Sequence, residues 1–117
     1  MEYMILIYAE EKMLALMSEQ EMKDMMAGYG TYTQALIDAG VMRGGSELAP
    51  VNAATTVRVR EGKTLRTDGP FAETREQLGG YYIIDCASLD DAIHWAAQCP
   101  SSVNGSIEVR PLVSYEA

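Results

Sequence analysis

Side chains able to do chemistry are sparse in this sequence, and their spacing fits few reaction classes. The single histidine, His94, follows Asp90 by four residues and Asp91 by three. That is helical ion-pair spacing, so a solvated Asp–His pair on a helix face is expected, with a catalytic base or metal ligand as the alternative. The histidine and the scattered acids have no recognisable metal-ligand spacing, so no metal site is expected. Cys86 and Cys99 form no Cys-x-x-Cys motif and read as buried thiols. Ser46, Ser101 and Ser102 lack a nucleophile-elbow pattern, and neither Gly44-Gly45 nor Gly79-Gly80 is a phosphate loop.

The most unusual stretch runs from Asp68 to Tyr82: Asp68-Gly69-Pro70-Phe71-Ala72-Glu73-Thr74-Arg75-Glu76-Gln77-Leu78-Gly79-Gly80-Tyr81-Tyr82. Asp-Gly-Pro has turn chemistry, because Asp can bond its own downstream backbone, Gly permits positive φ and Pro fixes the next φ. Gly79 and Gly80 allow a bulge or a close backbone approach at a strand start. Asp68 reads as a turn former or, alternatively, as a carboxylate held at a cleft mouth as acid, base or ligand acceptor. It is the best catalytic candidate. Phe71, Glu73, Tyr81 and Arg110 join it as candidate ligand-binding residues. Phe71 is expected to anchor its loop in the core or at an interface, Glu73 to be a solvated acid or a ligand contact, and Tyr81 to form cleft wall or to serve packing.

These residues need a scaffold to position them. Tyr3–Tyr8 is a short apolar run rich in strand formers, followed by a loop over Glu10–Leu16. Ser18 and Glu21 form a capping box that opens a helix. Met22, Met25, Met26, Tyr29, Tyr32 or Thr33, and Leu36 make its apolar stripe, and Gly40 stops it. A short strand follows around Val41–Leu48. Thr55–Arg60 and Thr64–Thr67 form a hairpin turning at Glu61-Gly62. Leu78–Cys86 is a long strand. Ser88 caps a second helix with Leu89, Ala92, Ile93 and Ala96 on its apolar side, ended by Cys99-Pro100. Ser106–Val113 is the last strand, with Pro111 placing its far end at a sheet edge. The order predicts an α+β fold: ferredoxin-like βαββαβ with an inserted β-hairpin, in one domain over residues 1–117.

Both faces of the expected strands are apolar. Met4, Leu6 and Tyr8 oppose Tyr3, Ile5 and Ile7, and Tyr82 and Ile84 oppose Tyr81 and Ile83. Two helices roof only one face, so a second copy is expected to cover the other in a homodimer, with long loops such as Gly45–Ala54 as the alternative cover. If Ile107 and Val109 face the helices, Glu108 and Arg110 point into the cleft between copies. There they would pair with each other or present charge to a ligand.

The Asp68–Tyr82 stretch resembles the DGPF branch of the YCII-related family. So do Tyr3–Tyr8, Thr55–Arg60, Trp95-Ala96-Ala97 with Cys99-Pro100, and Gly105–Pro111. The resemblance spans nearly the whole chain and implies a dimeric α+β barrel, built from paired ferredoxin-like sheets. Most members of that branch have no known activity, and many are encoded beside extracytoplasmic-function sigma factors. Some other YCII-like proteins act on small molecules, with a His–Asp pair suspected near the first helix. The present sequence departs from that pattern, since His94 lies in the second helix.

Composition narrows the function further. With 17 acidic and 9 basic residues the net charge is -8, which repels phosphate backbones and argues against nucleic acid. The opening residues have no basic segment and too short an apolar run for a signal peptide or membrane span, so the cytoplasm is the expected compartment. The leading expectation is a small-molecule site in the cleft between two copies. Acid–base or lyase-like chemistry without a tightly bound cofactor would suit it. The alternative is a non-catalytic regulatory or protein-interaction module whose acidic surface meets a basic partner.

Overall fold

The structure, a computed structural model, describes residues 1–115; the last two residues of the expected domain lie outside it. Strand β1 (Glu2–Ala9) leads into a short helix α1 (Glu11–Leu14) and then a long helix α2 (Glu19–Asp38). Strand β2 (Met42–Glu47) and the hairpin β3 (Thr55–Arg60) and β4 (Lys63–Asp68) follow. Strand β5 (Gln77–Asp85), helix α3 (Leu89–Gln98) and strand β6 (Ser106–Pro111) complete the chain. Four strands form an antiparallel sheet in the order β2-β5-β1-β6, and β3-β4 stands apart as a two-stranded sheet. This is the ferredoxin-like arrangement, with the hairpin inserted between its two halves.

Local chemistry explains the element boundaries. The Ser18 hydroxyl accepts from the Glu21 N–H at 3.1 Å while the Glu21 carboxylate accepts from the Ser18 N–H at 3.0 Å, closing the capping box. Gly40, at φ 71°, ends the turn after α2 in the left-handed region that suits glycine. Glu61 and Gly62 both have positive φ, the geometry of the two-residue hairpin turn that joins Arg60 to its partner Lys63. The α1 helix is a correction: its backbone hydrogen bonds close a turn within a segment expected to be loop.

The core lies between the sheet and the helices. Tyr3, Ile5, Ile7 and Ile84 meet Tyr32, Leu36, Ala92, Ala96 and Cys99 there. Ile107 and Val109 pack against the same cluster, so the aliphatic face of β6 points at the helices. The expected α3 stripe is narrower than its pattern: Ala92 and Ala96 are buried, but Leu89 and Ile93 are about half exposed. A ten-residue helix presents few residues to a sheet, and the two alanines let it sit close.

The described chain measures 49 × 48 × 18 Å. A helix about 10 Å across laid on a sheet accounts for the smallest dimension, leaving no room for a third layer. Among the described residues, the face carrying Met4, Leu6, Tyr81 and Ile83 is therefore bare of any helix.

Candidate functional site

The sheet and α2 enclose a wedge-shaped cavity of about 410 Å³. Its origin is in the sequence of α2. Tyr32 and Leu36, in the second half of the helix, are buried, whereas Met22 and Met26, in the first half, are exposed. The helix thus seats its second half and lifts from the sheet towards its start. Met25, Met26, Tyr29 and Thr33 form the helical wall, and Ile7, Ala9, Leu14 and Met42 add apolar surface.

The floor is made by glycines. A Cβ at Gly80 would lie 3.0 Å from the Ser46 carbonyl oxygen, and one at Gly45 would lie 2.7 Å from that of Tyr81. Close pairing of β2 with β5 thus demands glycine at both positions, and the same lack of side chains leaves the sheet open beneath α2. Gly79 is the extra residue of a β-bulge, since Ile7 pairs with Gly80 and Tyr8 with Leu78. The rim is tied down by Glu11, whose N–H donates to the Gln77 side chain at 2.9 Å and whose carboxylate accepts from the Val51 N–H at 3.1 Å.

Two hydroxyl pairs supply polarity. The Thr33 Oγ1 and Tyr82 OH lie 2.6 Å apart, and the Tyr29 OH and Ser101 Oγ are also 2.6 Å apart. Burial raises the Tyr29 phenol well above its ordinary range, so it stays protonated at neutral pH. The Cys99 thiol donates to the Tyr29 oxygen at 3.6 Å, and burial pushes it up as well, away from thiolate chemistry. Tyr82 is held edge-on against Tyr32, whose OH donates to the Trp95 carbonyl at 2.8 Å. Among the lining residues Glu47 carries the sole charge.

The five residues singled out from sequence do not converge on this cavity. Tyr81 belongs to its lining, but strand alternation sends its side chain to the opposite face from Tyr82. Asp68 ends β4, exposed, and its carboxylate makes no hydrogen bond among the described residues. Phe71 is 80% exposed, and Glu73 is exposed in the same loop. Arg110 stands on the bare face, bonded at 2.7 Å to Glu108, which also accepts from the Tyr8 OH at 3.3 Å. That pairing is the self-satisfied arrangement expected if Arg110 serves structure. His94 is exposed and makes no ion pair with Asp90 or Asp91 among the described residues; its ring meets Trp95 edge-on instead. Cys99 is buried as expected, but Cys86 is only partly so. Sequence reading missed Thr33, Tyr82 and Glu47 as site residues. The one available signal was a pair of double-glycine strands facing a methionine-rich helix stripe.

A family model described as the YCII-related domain matches residues 1–116. The chain belongs to the YCII-related family. It is also 40% identical over 118 residues, covering 99% of this chain and 95% of the relative, to an uncharacterised protein of Rhizobium meliloti (strain 1021). Among the described residues no helix of this YCII-related protein is long and apolar enough to cross a membrane.

Proposed function

We propose that this YCII-related protein binds a small, largely apolar molecule in the wedge between α2 and the sheet, and that it does so as a homodimer joined through the bare sheet face. The observation that carries the ligand reading is the wedge itself: apolar walls around a few hydroxyls, the usual make-up of a small-molecule pocket. The methionines can adjust to ligand shape. Among the described residues no Lys or Arg lines the cavity, and Glu47 stands at its edge in a chain of net charge -8. The fitting class is therefore neutral or cationic rather than anionic. The protonated Tyr29 serves as a hydrogen-bonding group, not a base. Acid–base or lyase-type chemistry on a bound molecule would begin at Glu47.

Homodimerisation is supported by the unroofed side of the sheet. Met4, Leu6, Tyr81 and Ile83 are only partly buried there, so covering them gains a fraction of the roughly 1.5–3 kcal/mol that full burial of a large apolar side chain is worth. A second copy supplies matching surface under two-fold symmetry. The regulatory alternative, a module meeting a sigma factor or another protein, draws on surface charge, while the pocket favours the small-molecule reading.

A thermal-shift screen with neutral, cationic and anionic metabolites tests the reading, because a ligand that binds only the folded state raises its apparent stability. Hits are expected among the first two classes and should vanish in Met25→Trp, which fills the wedge, but persist in Asp68→Asn. Hits that survive Met25→Trp place the ligand elsewhere and sink the assignment.

A further inference from the structure

The β3–β4 hairpin takes no part in the pocket or in the four-stranded sheet. Every strand residue except Thr56 is exposed. Val57 and Val59, at 60% and 59% exposure, share one face of the ribbon, with Arg66 opposite Val57 and Thr64 opposite Val59. The other face carries Leu65 beside Arg58, and Arg60 beside Lys63. At the arm's base stands Phe71, the chain's only phenylalanine, almost wholly in solvent.

An isolated two-stranded ribbon is marginal in water, and a run of exposed branched and aromatic side chains marks a contact surface. The arm also makes the chain sprawl. Its radius of gyration is 16.4 Å, against roughly 13 Å for a compact domain of this length.

Charge indicates the partner. Residues 55–68 hold four basic side chains, Arg58, Arg60, Lys63 and Arg66, and two acids, Glu61 and Asp68. The arm is thus +2, and the remaining residues, with five basic and fifteen acidic side chains, carry -10. A basic arm tethered to a strongly acidic body is complementary to another copy of that body. Two-fold symmetry lets both arms engage at once.

We propose that the β3–β4 arm clasps a second copy of this chain. Val57, Val59 and Phe71 seat on the partner's apolar surface, and the arm's basic side chains lie over its acidic body. The inference rests on the homodimer reading above and adds a contact separate from the bare sheet face.

The test is NMR on a dimer mixed from isotope-labelled and unlabelled chains. The Val57 and Val59 methyls are expected to show nuclear Overhauser contacts to the unlabelled copy. The paired change Val57→Thr with Val59→Thr, and separately Phe71→Ala, should each raise the dimer dissociation constant by about tenfold or more. Circular dichroism should be unchanged, since none of these side chains is in the core. A stable dimer whose arm methyls show no contact to the second copy overturns the arm contact and leaves sheet-on-sheet pairing intact. A chain that stays monomeric by light scattering overturns both. Pocket binding is read independently by thermal shift.

Discussion

Ile84 and Ile83 are neighbours on β5, yet they belong to two different surfaces. Ile84 is wholly buried under α2 and α3, whereas Ile83 faces the side with no helix and is only partly shielded by its neighbours. The same alternation separates Ile5 from Leu6 and Ile7 from Tyr8 on β1. The two faces have nearly the same chemistry in sequence. They differ in what lies above them, and that difference assigns them different work. The roofed face builds the core and, where α2 lifts away, the pocket. The bare face is the surface on which the proposed dimer rests.

Substitutions can break or sharpen this contrast. The largest effect is expected on the roofed face. Ile84→Ala or Leu36→Ala should cost ~2–5 kcal/mol, read as a lowered urea midpoint, because the rigid sheet–helix contact cannot collapse to refill the space. Equal losses for Ile83→Ala in dilute, monomeric protein would erase the distinction between faces. Next, Leu6→Glu or Ile83→Glu should leave the fold largely intact but produce monomers by light scattering, since a charge without a partner is costly in a sheet-to-sheet contact. A full-strength dimer in both variants would show that the bare face is not the joint.

Smaller effects probe the pocket and its scaffold. Tyr82→Phe removes the hydroxyl held 2.6 Å from Thr33 and should lower stability by about 1 kcal/mol, with a comparable loss in affinity for any hit that needs that hydroxyl. Ser18→Ala should cost about 1 kcal/mol by opening the capping box, without altering assembly. The smallest effect concerns the bare face in acid. Arg110 beside Glu108 holds its carboxyl below the usual glutamate range. The ion pair therefore stabilises the fold fully above the ordinary glutamate pKa, and that contribution fades as pH falls through the lowered one. NMR titration of Glu108 should show the depressed value in the native chain and the ordinary one in Arg110→Met.

Several elements of the scaffold were legible because they are written locally. The capping box at Ser18, the Gly40 stop, the Glu61-Gly62 turn and the Gly79 bulge each depend on side chains or φ preferences within a few residues. Alternation along β6 likewise put Ile107 and Val109 on one face and Glu108 and Arg110 on the other, and the structure turned the aliphatic pair to the helices. The site was much less legible. Asp68, Phe71 and Glu73 attract notice by their unusual run of types, but that run forms the exposed end of the arm and the loop after it. Thr33 and Tyr82 lie 49 residues apart and meet only because α2 crosses β5. The α3 stripe was overdrawn because periodicity identifies a face without stating how much of it a short helix can bury.

Sequence alone determined the order of the main strands and helices, the ferredoxin-like class and the presence of two apolar faces on one sheet. These follow from short-range patterns: a period of two, a period of three to four, and residues that fix turns. Tertiary structure alone decided which face is roofed, that α2 rises from the sheet to leave a cavity, and that the hairpin stands clear as an arm. Those outcomes depend on the angle and spacing of elements far apart in the chain, which close packing fixes and local preference does not.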